Sequence, residues 1–456
     1  MELDLVKGTA EDKLPAGDGS VGPLALADLD GDGDLDLFVG GRVIPGRYPE
    51  AATSWVYANN GGVFKLSAEF KQVGLVSGAV WSDLDGDGYP ELVLACEWGA
   101  IRVFHNERGV LKEATKALGL DKYTGWWNGV TTGDFDGDGK LDIIASNWGQ
   151  NTKYESHRQQ PLRLYYGNFA GDGGIQVVES YYEPGMNKQV PLRLLDVMAK
   201  GMPFLTEQFP THRQYSEAGI DEILGERSKQ ARVLEAARLE STLFLNRGDR
   251  FEPHILPMEG QLAPAFAVCV GDYDGDGRED VFLSQNFFAV EADTSRYDAG
   301  RGLWLRGDGK GDFHAAPGQE SGVKVYGEQR GAALCDYDGD GRVDLAIAQN
   351  DAETKLFHNV HGKPGLRVRL KGPDGNPLGV GAVLRLKYGE RFGPAREVHA
   401  GSGYWSQDGA VSVLGKAGVP AQLWVRWPGG REITYAVPPN GAEVELRTTG
   451  ELRLIK

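Results

Sequence analysis

Five nine-residue stretches share the order Asp-x-Asp-Gly-Asp-Gly-x-x-Asp/Glu, beginning at Asp28, Asp83, Asp134, Asp272 and Asp336. Positions one, three, five and nine supply carboxylates: Asp28, Asp30, Asp32 and Asp36; Asp83, Asp85, Asp87 and Glu91; Asp134, Asp136, Asp138 and Asp142; Asp272, Asp274, Asp276 and Asp280; Asp336, Asp338, Asp340 and Asp344. At position seven the backbone carbonyls of Asp34, Tyr89, Lys140, Arg278 and Arg342 can complete the set. A hard cation such as calcium takes six to eight oxygens and tolerates irregular geometry, which alternate residues of a tight loop can satisfy. Four uncompensated carboxylates within a few ångströms would repel one another, a cost that plain polar turns have no reason to repeat five times. The expectation is about five Ca2+ ions with a structural role. An EF-hand would need a twelve-residue loop flanked by helices.

Around each loop the pattern is that of short strands, as in Gly129-Val130-Thr131-Thr132-Gly133 before one and Leu141-Asp142-Ile143-Ile144-Ala145 after it. Three or four such strands per unit make a propeller blade. The fold class predicted is all-β: a six- or seven-bladed calcium-binding β-propeller over residues 1–360, and a small β-sandwich-like domain over 365–456. Six units can be counted, the fourth assembled from pieces on either side of a long insertion. Leu3-Asp4-Leu5-Val6 could supply a strand to the sixth, or a further blade could lie upstream. Asn168 to Gly173 reads as a degenerate loop, or only a hairpin turn, that lacks several carboxylates. The insertion, about 190–240, is expected to be helical, with Glu226–Glu240 carrying Ala, Leu, Glu and Arg at helical spacing.

Sixty-five glycines, roughly twice the usual share, recur beside aspartates without a collagen period. The net charge of −17 argues against a nucleic-acid partner, which needs clustered cations. Five divalent ions would offset ten of those charges. Cys96, Cys269 and Cys335 lie in strand-like runs without metal-ligand spacing and read as free thiols. No apolar run approaches the length of a membrane span, so membrane insertion is not expected.

Asp-Leu-Asp-Gly-Asp-Gly followed by a β run resembles the FG-GAP, or VCBS, repeats of integrin-type propellers. Gly365 to Leu370, Gly379-Val380-Gly381-Ala382, Gly401-Ser402-Gly403-Tyr404 and Val425 to Pro428 resemble the ASPIC/UnbV domain. The pairing is similar to the cartilage acidic protein family and to secreted bacterial repeat proteins. It implies a secreted, periplasmic or cell-surface location, with this chain a fragment of an exported protein. Val411 to Gly415 departs from the Phe-Gly-Leu-Gly-like sequence of that domain.

The resemblance also implies that ligands bind the face opposite the loops. That face would carry Arg42, Glu97, Trp98, Trp126, Trp127, Asn128, Asn147, Trp148, Gln285, Asn286, Gln349 and Asn350, as a site for a glycan or protein ligand. The same tryptophans and amides could instead pack blade against blade and satisfy backbone groups. Two Arg-Gly-Asp tripeptides, at 247–249 and 306–308, sit where hairpin turns want Gly and Asp. No nucleophile elbow, P-loop, zinc motif or dinucleotide fingerprint is present in a suitable setting. A binding or adhesion module is the first expectation; a polysaccharide lyase or hydrolase, with Glu97 as its best-placed acid, and a purely structural unit of a longer secreted protein are the alternatives.

Overall fold

The computed structural model describes residues 2–4, 9–11, 14, 17, 19–154, 160–292 and 294–456. Within them the chain is almost entirely β. Each Asp-rich loop joins the first two strands of an antiparallel sheet, and the register repeats: the residue before position one pairs with position nine, as Ala27 with Asp36, Ser82 with Glu91, Gly133 with Asp142, Gly271 with Asp280 and Cys335 with Asp344. Sheet I runs Val21–Ala27, Asp36–Gly41, Ser54–Asn60 and Val63–Phe70. Sheet II runs Leu75–Ser82, Glu91–Gly99, Arg102–Glu107 and Val110–Glu113. Sheet III runs Val130–Gly133, Asp142–Ala145, Thr242–Asn246 and Phe251–Ile255. Sheet IV runs Ala265–Gly271, Asp280–Gln285, Leu303–Gly307 and Phe313–Ala316. Sheet V has three strands, Glu328–Cys335, Asp344–Asn350 and Ala352–Phe357.

Strand alternation explains how the sheets stack, because successive side chains point to opposite faces. In sheet IV, Val281 and Leu283 pack into a core shared with sheet III, while Phe282 between them packs into one shared with sheet V. The same holds between I and II and between II and III. Sheets V and I share no such buried core among the described residues, and Leu24 on one and Leu356 on the other stay more than half exposed.

The structure differs from three expectations. The pieces around the insertion are not a blade of the series: Leu162–Gly167, Gln176–Glu183, Lys188–Pro191 and Arg232–Ala236 form a separate sheet between the second and third strands of sheet III. The helices of the insertion are short and lie at Leu195–Gly201, Phe204–Gln208, His212–Ser216 and Ile220–Leu224. Glu226–Glu240 is not helical beyond a 3-10 segment, Gly225–Gln230, because Arg232–Ala236 pairs with Leu162–Tyr166 and tertiary pairing overrides propensity. Finally, Glu2–Asp4 pairs with Thr9–Glu11 rather than with sheet V; Leu5 and Val6 of the proposed closing strand lie outside the described residues.

Asn168–Gly173 is a hairpin turn between Leu162–Gly167 and Gln176–Glu183, and Gln176 takes the place of the position-nine carboxylate, its Oε1 accepting from Ala170 N at 2.9 Å. Beyond residue 365, one sheet of Leu366–Lys371, Ser412–Leu414, Glu443–Arg447 and Leu452–Leu454 faces another built on Val383–Tyr388, Gln422–Arg426 and Glu432–Ala436 over a common core that includes Leu384, Leu423, Val425 and Val444. Ser412–Leu414, within the segment that departs from the domain's usual sequence, pairs with Leu366–Val368.

Candidate metal loops and the opposite face

The five loops are built alike. Glycines at positions four and six adopt φ between +73° and +93°, a region that favours glycine. Their N–H groups donate to the position-one carboxylate: Gly31 and Gly33 to Asp28 at 2.8 and 3.0 Å, Gly86 and Gly88 to Asp83 at 2.9 and 3.0 Å, Gly275 and Gly277 to Asp272 at 2.7 Å, and Gly339 and Gly341 to Asp336 at 2.8 and 2.7 Å. In the third loop Gly139 donates to Asp134 Oδ2 at 3.1 Å. Carboxylates at positions three and five each accept from the N–H two residues on, as Asp30 from Asp32 and Asp32 from Asp34.

The position-nine carboxylate is buried and ties three strands together. Its oxygens accept from the N–H of position two and from the end of the third strand: Asp36 from Leu29 and Asn59, Glu91 from Leu84 and Asn106, Asp142 from Phe135 and Asn246, Asp280 from Tyr273 and Gly307, and Asp344 from Tyr337 and Asn359. Three of those asparagines also reach the preceding loop. Asn106 donates to Leu29 O, Asn246 to Leu84 O and Asn359 to Tyr273 O, at 3.0, 2.8 and 2.6 Å. This clasp was not recognised in the sequence, although an Asn two or three residues before a turn glycine, as in Asn106 to Gly109, marks it.

Burial is the main force on these acids. It pushes Asp36, Asp83 and Asp134 up to about 6, Asp272 to about 7, Asp142 to about 8, and Glu91 and Asp280 to about 9, and it raises Asp28 and Asp344 as well. Carboxylate oxygens of Asp28, Asp30 and Asp32, of Asp83, Asp85 and Asp87, and of Asp134, Asp136 and Asp142 lie within 4.8 Å of one another in each group. Asp134 Oδ1 is buried with no hydrogen-bond partner. An all-oxygen set with an orphaned carboxylate oxygen fits a hard cation. His105 and His358, not anticipated from the sequence, lean on the second and fifth loops, at 3.0 Å from Glu91 and 3.0 Å from Asp338.

The C-terminal domain covers this loop face. Arg426 lies 2.7 Å from Asp83, Arg385 3.9 Å from Asp134, Arg367 pairs with Asp336, and Arg396 pairs with Glu279 in the fourth loop. Backbone groups add to the contact: Ala395 N donates to Asp134 Oδ2, and Asp83 N donates to Glu397 Oε1. Both arginines of the Arg-Gly-Asp tripeptides are engaged here too, Arg247 with Asp136 at 2.6 Å and Arg306 with Asp274 at 2.8 Å.

From this domain, residues 399–409 descend between the first strands of the sheets. Leu26 N donates to Ala400 O, Gly403 and Val130 exchange two backbone bonds, and Gly409 N donates to Leu334 O. A Cβ at Gly401 would stand 2.2 Å from Leu24 O, so the close approach requires glycine there. At the tip, Tyr404 lies 5.3 Å from Phe266 and stacks on Trp405, whose Nε1 donates to Ser77 O.

On the opposite face the predicted ligand residues divide into two groups. Trp98 and Trp148 are 3% and 7% exposed and sandwich Trp126, with centroids at 4.8 and 4.5 Å. Trp127 is fully buried in the core between sheets II and III, its Nε1 donating to Tyr123 O. Asn128, Asn147, Gln285 and Asn286 are buried and bonded to backbone: Asn147 Oδ1, for example, accepts from Trp126 N and Trp148 N. Gln349 donates to Glu353 O and Asn350 to Glu328. The packing role is the one these groups fill. What stays partly accessible is a set of paired charges and half-buried aromatics: Arg42 pairs with Glu97, Glu97 accepts from Tyr48 at 2.7 Å, and Arg330 pairs with the buried Glu328.

Comparison with known proteins agrees with the loop pattern. Residues 28–94 and 83–145 match the FG-GAP-like repeat family. Cartilage acidic protein 1 from Homo sapiens is 28% identical over 330 residues, covering 70% of this chain and 42% of that protein; the Mus musculus protein is 27% identical with 43% covered. The chain thus spans about two fifths of the length of these relatives. Among solved structures, the exotype rhamnogalacturonan lyase YesX is 12% identical over 93% of this chain and 74% of its own, with a TM-score of 0.33. The Vibrio cholerae biofilm matrix protein Bap1 is 12% identical over 94% and 61%, with a TM-score of 0.26. Similarity at that level carries nothing over to this chain. The chain carries FG-GAP-like repeats and is related in sequence to cartilage acidic protein 1.

Proposed function

We propose that the chain is a calcium-braced β-propeller acting outside the cytoplasm as a binding or adhesion module for a glycan or protein ligand, which it meets on the face opposite the loops. The observation that carries the reading is the fivefold repetition of one loop geometry in one strand register, with buried carboxylates converging on a common point and Asp134 Oδ1 left unpartnered. The ions would be held by the carboxylates at positions one, three, five and nine, and each would pin the hairpin that carries it. At a hundredfold excess over Kd one site adds about 2.7 kcal/mol to stability. Millimolar extracellular calcium suits loops of this kind, since extracellular modules bind at roughly 10⁻⁴ to 10⁻³ M. The sequence relation to cartilage acidic protein 1 supports the same location. Coverage of the loop face by the C-terminal domain leaves the other face for a partner.

Thermal unfolding of metal-depleted protein with and without added calcium, together with metal analysis, tests the reading. About five ions per chain and a large calcium-dependent rise in Tm are expected. No bound calcium and no shift would overturn it.

A further inference from the structure

The C-terminal domain contributes to both faces. Its 399–409 segment runs along the axis and places Tyr404 among residues of the opposite face, a position that no repeat of the first domain could supply. Tyr404 shares a cluster with Phe266, Phe287, Trp126 and Leu75. The Arg330 guanidinium lies over the Phe266 ring at 3.9 Å, with Tyr404 on the same ring at 5.3 Å, while across the mouth Arg42 donates to Leu75 O at 3.3 Å and pairs with Glu97. Arg42, Arg330 and Glu97 are the charged groups that act on the Tyr404 phenol, which burial raises. Among the described residues the Tyr404 hydroxyl has no hydrogen-bond partner. Three cations of this face are paired: Arg42 with Glu97, Arg330 with Glu328, and Arg193 with Glu179 and Glu291.

We propose that Tyr404, Arg42, Glu97 and Arg330 form a binding site for a neutral saccharide, with half-buried rings to meet the apolar face of a sugar. The chemistry selects this class. Three guanidiniums against four carboxylates leave no positive field to gather an anion. Donors on the guanidiniums, acceptors on the carboxylates and a phenol able to do both match the mixed donor and acceptor hydroxyls of a hexose. Aromatic faces supply the apolar contact. The proposal rests on the reading of this face as the ligand face, and it narrows the ligand.

The test is isothermal titration of the calcium-loaded full chain with neutral trisaccharides (galactotriose, cellotriose and mannotriose), with trigalacturonate and a Glu-rich peptide alongside. A neutral trisaccharide should bind, trigalacturonate more weakly than galactotriose. Tyr404→Phe should weaken binding about fivefold, the share of one neutral hydrogen bond, while leaving Tm unchanged because that hydroxyl serves no protein group. Arg42→Gln should weaken it further. Failure of all three neutral sugars, or full affinity in Tyr404→Phe, would overturn the proposal. Tighter binding of trigalacturonate or the peptide would overturn it too, yet if that binding were lost in Arg42→Gln the opposite face would stand as the ligand face.

Discussion

Calcium should abolish the fall in stability with rising pH that the metal-free fold shows. In the metal-free fold, burial holds Asp142 at about 8 and Glu91 and Asp280 at about 9, whereas the unfolded chain ionises them near 4. Between those values the unfolded chain has released protons that the fold retains. A raised folded pKa gives stability that is present below the unfolded value and lost as pH rises toward the folded one. The loss is about 1.4 kcal/mol per pH unit for each group, so the three together give a slope on the order of 4 kcal/mol per unit between pH 5 and 8. With calcium bound these carboxylates are ionised in both states, and the slope disappears. The assay is thermal or urea unfolding of metal-depleted protein at pH 5, 6.5 and 8, with and without 2 mM (roughly extracellular) calcium. Metal-free protein should weaken steadily as pH rises, and the calcium-induced gain should be largest at pH 8. Equal slopes in both series, or metal-free protein more stable at pH 8 than at pH 5, would refute the reasoning.

Arg396→Ala leaves Glu279 buried without its partner and should cost about 3–5 kcal/mol in urea unfolding, while Arg250→Ala, whose pair with Asp249 is solvent-exposed, should change little. Asn246→Ala removes the donor to Leu84 O and Leu141 O and should destabilise by about 1–3 kcal/mol, measured as a fall in the urea midpoint. Gly401→Ala forces a Cβ against Leu24 O at a left-handed φ of +94° and should loosen the 399–409 segment, read as faster amide exchange at Leu26 and Gly403. Trp148→Ala should lower stability by about 3–5 kcal/mol because the ring is buried among Trp126, Phe287 and Tyr297; wild-type stability would contradict that packing.

The parts that were legible in the sequence were local. The loops declare themselves because each carboxylate and glycine lies within nine residues of the others, and the strand register follows from the hairpin they close. Glu226–Glu240 misled for the converse reason. Its Ala, Leu, Glu and Arg favour helix, but Val233 and Leu234 find Tyr165 and Leu164 some seventy residues upstream, and that pairing is not encoded in the segment itself. Trp98 ends the second strand of sheet II and Trp148 follows that of sheet III, while Trp127 precedes the first strand of sheet III, so the sequence could not separate a ring that packs from one that is presented; only the burial of its neighbours decides.

The arginines of the C-terminal domain show the limit most clearly. Arg367, Arg385, Arg396 and Arg426 are spread over sixty residues of strand, where each reads as an ordinary exposed cation on a sheet. Yet three of them meet the position-one carboxylate of a different loop, and Arg396 meets Glu279 beside a fourth. Their spacing follows the geometry of the loop face rather than any period of their own strands. Because a guanidinium occupies one side of these carboxylates, an ion bound in the loops would share its acids with the domain above, which would join docking of the second domain to loading of the loops. The same domain then sends Tyr404 down the axis to the other face. A protein cut after residue 360 would therefore lose more than a neighbour: it would uncover four loop acids and strip them of their cations, and leave the far face without its phenol.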